Sequence, residues 1–232
     1  MVRNLLTAVT VGVLALGLTS CASTSPGDEA EKEAGDLCGI TGDHTAEKAL
    51  SGLLGTKDLK TADDGAVLDV AKEMKRGLTD PLSPADSSER DVCSLYPRTL
   101  EGSGDLAFSF GWRYKYSIER ESEPLDDYTY YNLDGAIGES SPERSHLYVP
   151  CTPPKNASPQ RDRFLIAHVE NSISPRSRDA KGNPRDNQLT ALQAVARKMA
   201  RAVGCTNDPL QGKPDLTPYD TLRAAVRAGQ SA

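Results

Sequence analysis

The segment Asp105–Glu119 alternates apolar and polar residues over more positions than any other part of this chain. One set is apolar or aromatic and consists of Leu106, Phe108, Phe110, Trp112, Tyr114, Tyr116 and Ile118. Side chains two positions apart lie on the same face of a β-strand. The alternation therefore predicts a strand with one face on a core. A uniform strand of this length would be unusual, so we expect a bend or bulge near Gly111.

The aromatic residues of this segment have two interpretations. Trp112, Tyr114 and Tyr116 could form an exposed ligand-binding face on which sugar rings or an apolar ligand would stack. They could equally form the core of a sheet. Because the alternation continues to Leu106 on one side and Ile118 on the other, we favour the core.

Helices are predicted on either side of a block of strands. Helical spacing of apolar residues, with capping residues at the ends, predicts helices at Ala46–Leu54, Asp64–Arg76 and Asn187–Val203. Strands are predicted, besides the aromatic one, at Tyr128–Ile137, Ser145–Cys151 and Arg163–Glu170. This order is typical of an α+β fold. We expect an antiparallel sheet of about four to five strands with helices packed on one face.

The N-terminus has the layout of a signal peptide. Arg3 precedes an apolar run from Leu5 to Leu18, after which the chain becomes polar. A helix that crosses a bilayer needs about 20 apolar residues, and this run is shorter. We therefore predict a cleavable signal peptide over residues 1–20.

The end of that run, Leu18-Thr19-Ser20-Cys21, resembles the bacterial lipobox. The resemblance implies that the Cys21 thiol carries a diacylglyceryl group and that a peptidase cleaves between Ser20 and Cys21. Two acyl chains hold a protein stably on a membrane, so the expected location is the outer face of the cell membrane. Residues 21–36 contain no aliphatic side chain larger than alanine, which predicts a flexible stalk after the lipidated cysteine.

The charge balance excludes one class of partner. The formal net charge is −6, and removal of Arg3 with the signal peptide makes it one unit more negative. No run of the chain is rich in Lys and Arg. We therefore expect neither nucleic-acid binding nor electrostatic docking on anionic lipid.

The cysteine content agrees with export. The chain has 5 cysteines, of which Cys21 belongs to the lipobox; the others are Cys38, Cys93, Cys151 and Cys205. An even number in an oxidising compartment predicts two disulfides, for which three connectivities exist. The separations of 55 and 54 residues favour Cys38–Cys93 and Cys151–Cys205. No CxxC or CxxH occurs, so these cysteines predict no metal site.

Three further segments carry a family resemblance. The sequences DLCGI at 36–40, DVCSLYP at 91–97 and ALQAVARKMARAVGC at 191–205 are similar to those of small secreted lipoproteins of actinobacteria. The resemblance covers residues 37–205, which we expect to form a single α+β domain. Residues 206–232 are predicted to be an extension with a weak helix at its end. These relatives largely lack assigned functions, so no catalytic residue is transferred.

Catalytic motifs are absent from the sequence. It contains no GxSxG, HExxH, Walker or dinucleotide-binding motif. His44, His146 and His168 are far apart in the chain and have no metal-ligand spacing, and we interpret His168 as a hydrogen-bonded core residue. No catalytic residue, metal or cofactor is therefore predicted.

The sequence favours a non-enzymatic binding or interaction module on the cell envelope. Its ligand would be an envelope protein, a lipid or a cell-wall component. The alternative is an envelope hydrolase whose acidic residues converge only in the fold, with Glu119, Asp126 and Asp127 as candidates.

Overall fold

The computed structural model describes residues 38–40, 42–61, 66–81, 87–98, 105–114, 118, 127–155, 163–172, 181–222 and 224–225. The predicted signal peptide, the lipobox with Cys21, and the stalk lie outside these residues. Tyr116, Glu119 and Asp126 lie outside them as well. Among the residues described, no helix is both long enough and apolar enough to cross a bilayer.

The described part of the chain contains four helices and eight strands with named bounds. The helices are α1 (His44–Leu54), α2 (Ala66–Met74), α3 (Arg76–Thr79) and α4 (Pro184–Val203). The strands are β1 (Leu59–Thr61), β2 (Arg90–Pro97), β3 (Leu106–Tyr114), β4 (Thr129–Leu133), β5 (Ala136–Ser140), β6 (Arg144–Cys151), β7 (Arg163–Asn171) and β8 (Pro218–Tyr219).

All eight strands belong to one sheet in the order β1-β2-β3-β7-β6-β5-β4-β8. Each neighbouring pair is antiparallel. The α+β fold class with an antiparallel sheet is therefore confirmed.

The expected number of four to five strands is wrong, because the sheet has eight. The predicted strand Tyr128–Ile137 is two strands, β4 and β5, joined at Asp134-Gly135, where φ is 53° and 81°. Successive positive φ values are typical of a tight hairpin turn. The edge strands β1 and β8 have three and two residues, too few to show a period in the sequence.

The sequence signals for α1 and α4 correspond to real caps. The Asp43 carboxylate accepts hydrogen bonds from the backbone N–H groups of Thr45 and Ala46, both over 3.1 Å, and so begins α1. At the other end Gly55 is left-handed, with φ 70°. Gly204 ends α4 in the same way with φ 98°. Both predicted helices are confirmed.

One face of the sheet forms the main core. Leu106, Phe108, Phe110 and Trp112 of β3 are all fully buried there. Buried residues of all four helices join the same core, among them Leu50, Met74, Leu78 and Leu192. Full burial of a large apolar side chain contributes about 1.5–3 kcal/mol, so the β3 residues are a main source of stability.

The aromatic strand is shorter than its alternation suggests. β3 ends at Tyr114, and Ile118 is in a helical conformation on the other face of the sheet. The expected bulge at Gly111 is also wrong. β3 pairs with β7 without interruption, and the register shift lies in the neighbouring strand β2, between Asp91 and Cys93.

The opposite face of the sheet has a smaller apolar cluster. It consists of Ile118, Tyr130, Ile137, Phe164, Ile166, Leu222 and Ala225. Leu222 and Ala225 lie beyond Cys205, and Tyr219 of β8 pairs with Tyr130 of β4. The domain therefore continues past residue 205 into the region predicted to be an extension.

Candidate functional site

A row of polar side chains crosses the middle of the sheet on the face opposite the main core. Ser109 of β3 is aligned with His168 of β7, His168 with His146 of β6, and His146 with Glu139 of β5. Aligned residues of neighbouring antiparallel strands lie on the same face. Four strands thus bring four polar side chains into one line.

Glu89 reaches this row from the segment that precedes β2. Its Oε2 lies 3.1 Å from Nδ1 of His168 and accepts a hydrogen bond from the Ser109 hydroxyl, also over 3.1 Å. Gly111 of β3 makes room for the segment, because a Cβ at that position would lie 3.3 Å from the carbonyl oxygen of Ser88. The glycine that interrupts the aromatic pattern therefore serves to position Glu89.

The two histidines of the row are in direct contact. The imidazole rings of His146 and His168 stack with centroids 4.4 Å apart and an angle of 17° between their planes. Their side chains are 21% and 17% exposed. The rings are partly shielded, and a small solute reaching them would find two imidazoles side by side.

Glu89 is ionised in this setting. The hydrogen bond with His168 lowers the pKa of Glu89 from 4.5 to about 2, and the positive charge of His168 and the Ser109 hydroxyl act in the same direction. Burial of the carboxylate opposes the shift. At neutral pH the row therefore includes one fixed negative charge beside two imidazoles.

Glu139 supplies a second carboxylate at the other end of the row. It is only 8% exposed and accepts a hydrogen bond from the Tyr148 hydroxyl over 2.7 Å. Its Oε1 lies 3.2 Å from Nδ1 of His146, close enough for an ion pair but not aligned for a hydrogen bond. A small rotation of either side chain would create that hydrogen bond.

Two ring nitrogens of the site have no hydrogen-bond partner among the described residues. They are Nδ1 of His146 and Nε2 of His168, and both are shielded from solvent. A buried polar atom without a partner costs free energy and calls for a physical explanation, such as a bound ion or water. The arrangement therefore has unused capacity to hold a ligand.

The site does not have the geometry of a serine hydrolase. In such an enzyme the serine and the acid contact opposite nitrogens of the histidine ring. Here the Ser109 hydroxyl and Glu89 both approach Nδ1 of His168, at 3.5 and 3.1 Å, and the hydroxyl donates to Glu89. Ser109 is also only 7% exposed. The histidine is not placed to activate this serine as a nucleophile.

Metal binding is within the chemistry of the cluster. Glu89, His146 and His168 each offer one ligand atom, and these atoms all lie within 4.8 Å of one another. The histidine spacing in the sequence predicted no metal site, yet the strand register brings two of the three histidines together.

The sequence carried one usable signal for this pair. Both histidines lie on segments predicted as strands, and these strands follow one another along the chain. An antiparallel hairpin centred on the loop near residue 157 would place residue 146 opposite residue 168. The centre of that loop could be guessed only roughly, and a shift of one residue would place the side chains on opposite faces.

The aromatic residues considered as a ligand-binding face belong elsewhere. Trp112 is fully buried, and its indole nitrogen donates to the Met74 carbonyl over 2.9 Å. Tyr114, the last residue of β3, is partly buried. Tyr116 lies outside the described residues. Trp112 is thus part of the core and is not accessible to a sugar or an apolar ligand.

The four cysteines of the domain form two disulfide bonds, Cys38–Cys93 and Cys151–Cys205. This is the sequential connectivity that the separations favoured. The first bond joins the start of the described chain to β2. The second joins the end of β6 to the residue after the Gly204 cap of α4, so both are positioned to stabilise the sheet against its helices.

The acidic residues considered for a hydrolase do not form a described site. Asp127 is exposed in a turn with φ 74°. Glu119 and Asp126 lie outside the described residues. The cluster around His168 is the more developed site in the part of the chain that the structure describes.

A separate cavity of about 180 Å³ lies beside α4, lined by Asp43, Gln193, Arg197, Gln211 and Lys213 among others. Pockets for small organic ligands usually have about 300–1,000 Å³. Arg197 lies 3.7 Å from the Asp43 carboxylate and donates to the Leu210 carbonyl. The cavity is therefore small, and its arginine already has partners.

Comparison of the chain with protein-family models, with curated proteins and with solved structures gives no match.

Proposed function

We propose that this protein is a lipid-anchored component of the cell envelope and acts there as a non-enzymatic binding module. The observation that carries the anchor is the use of its cysteines. Four of the 5 are paired with one another in disulfides. The remaining one, Cys21, stands at the lipobox position, where lipidation requires a thiol. Two disulfides also favour an oxidising compartment outside the cytoplasm.

Binding is favoured over catalysis by the geometry of the site on the second sheet face. The cluster has ring nitrogens without partners, which suit a ligand, but its serine is hydrogen-bonded to the acid and is not activated by the histidine. Its ligand in the envelope would contact the row from Glu89 to Glu139. The site lies on sheet strands, which hold its side chains in fixed positions.

The anchor can be tested by the mass of the mature protein. The full chain is expressed in an actinobacterial host and extracted from membranes with detergent. We expect an N-terminal Cys21 with a diacylglyceryl adduct, and protection of the anchored protein from removal by salt washes. Cys21→Ser should remain unprocessed or become soluble, whereas Ser87→Ala, as a control, should be processed normally. A mature N-terminus other than acylated Cys21 would refute the anchor.

The choice between binding and hydrolysis can be tested with a fluorophosphonate probe, which labels activated serines. We expect no labelling of the folded protein. Labelling that disappears in Ser109→Ala but persists in Ser172→Ala would show an activated Ser109 and would refute the non-enzymatic role. Ser172 is a suitable control because it is exposed and hydrogen-bonds to Asp105, away from His168.

A further inference from the structure

We propose that Glu89, His146 and His168 form a binding site for a divalent first-row transition-metal ion, with Zn²⁺ as the best-matched ion. The inference rests on the proposed binding role, for which it names a ligand class, and is independent of the lipid anchor. It follows from the positions of three side chains on three different segments of the fold.

The ligand atoms are close to a binding geometry. They lie within 4.8 Å of one another, whereas bonds of about 2.0–2.1 Å to a tetrahedral ion place its ligands roughly 3.4 Å apart. The difference is about 1.5 Å and can be closed by side-chain rotations. The backbone frame need not move, because β6 and β7 are paired along their whole length from Arg144 to Cys151.

The donor set indicates the class of ion. Two imidazoles and one carboxylate suit Zn²⁺ and its neighbours in the first transition row, whereas Mg²⁺ and Ca²⁺ prefer oxygen ligands alone. All four cysteines of the domain are in disulfides, so thiolates do not compete for the ion. Three protein ligands leave one coordination position for water or for a donor group of a partner.

The unpartnered ring nitrogens are the second observation behind the site. Nδ1 of His146 and Nε2 of His168 are shielded from solvent and have no hydrogen-bond partner among the residues described. Coordination of the histidines would recruit this unused capacity. Metal-bound histidines usually donate their other ring N–H to a carboxylate. Glu139 lies 3.2 Å from Nδ1 of His146 and is held by Tyr148, so it is placed to orient that ring.

The test measures zinc binding by the full chain, purified in detergent without a polyhistidine tag and stripped with a chelator. We expect one zinc per chain by elemental analysis after dialysis and by calorimetric titration. Loss of an outer carboxylate typically weakens metal binding 10–100-fold. We therefore expect Glu139→Gln to weaken binding by about that factor and His146→Ala, His168→Ala and Glu89→Gln to weaken it at least as much.

His44→Ala is the matched control. His44 is 91% exposed on α1 and contacts Glu47, so its loss should leave zinc affinity unchanged. Millimolar Mg²⁺ or Ca²⁺ should not displace the zinc. Binding that survives in both His146→Ala and His168→Ala, or that is lost in His44→Ala, would overturn the proposal.

A measurement on the unmodified protein guards against variants that fail to fold. The chain has 3 histidines, whose imidazole ¹⁵N resonances can be followed during a zinc titration. We expect the resonances of two histidines to shift and those of His44 to remain. The absence of stoichiometric zinc, or shifts confined to His44, would overturn the site. Neither result would affect the mass test of the anchor or the fluorophosphonate test for hydrolysis.

Discussion

The indole nitrogen of Trp112 donates a hydrogen bond over 2.9 Å to the main-chain carbonyl of Met74, at the last residue of α2. Trp112 and Met74 are both fully buried. This contact joins the centre of the sheet to the end of a helix, so the tryptophan supplies both apolar area and a polar contact to the core.

Replacement of Trp112 should therefore be costly. We expect Trp112→Ala to lower the free energy of unfolding by about 3–5 kcal/mol, as for other large-to-small core changes. Trp112→Phe keeps a ring but leaves the Met74 carbonyl without its donor, and should cost less. Denaturant unfolding measures both. A cost below about 1 kcal/mol for the alanine variant, which is typical of surface positions, would contradict the burial.

Gln188 of α4 should be the most sensitive polar residue of the core. Its Oε1 accepts from the Ser145 hydroxyl and its Nε2 donates to the Pro142 carbonyl, each over 2.7 Å, and it is fully buried. Gln188→Leu leaves both partners unsatisfied, which costs about 1–3 kcal/mol. Gln211→Leu, at an exposed position, should change stability by less than about 0.5 kcal/mol. Equal effects of the two variants in thermal unfolding would count against this network.

The two disulfides should contribute similar amounts to stability. They close loops with separations of 55 and 54 residues, and the chain-entropy model gives about 4 kcal/mol for a loop of this size. We expect the double variants Cys38→Ser/Cys93→Ser and Cys151→Ser/Cys205→Ser to unfold at similarly reduced denaturant concentrations. A large difference between them would mean that native-state effects outweigh the loop entropy. Non-reducing peptide mapping of the parent protein would verify both bonds.

Glu89 should make the metal-free protein sensitive to acid. The pKa of Glu89 in the folded protein, about 2, lies below its ordinary value of 4.5. Its ionised form is therefore favoured by folding, and this stabilisation is complete above pH 4.5 and lost as the pH falls to about 2. The stability difference between the parent and Glu89→Gln, measured with chelator present, should shrink over that range. A difference that stays constant would contradict the shifted pKa.

Local signals predicted the longer elements of this fold. α1 and α4 have capping residues at both ends, and the alternation in β3 identified Phe108, Phe110 and Trp112 as core. These features depend on neighbours within a few residues in the chain. They are therefore visible without knowledge of what the element packs against.

The remaining elements depend on contacts between distant residues. β1 and β8 are too short to be stable alone and exist because they pair with β2 and β4. The site depends on distant contacts even more strongly, since Glu89, His146 and His168 are brought together by strand register and by a glycine that admits the segment before β2. No spacing in the sequence encodes that meeting directly.

The Cys38–Cys93 bond has a mechanical consequence in the anchored protein that we propose. A pull exerted through the lipid on Cys21 would travel along the N-terminal segment and reach the domain at Cys38. The covalent bond passes that load directly into β2, which lies inside the sheet between β1 and β3. The force would thus be borne in shear by two flanking strand ladders, and α1 would not be peeled away from its end.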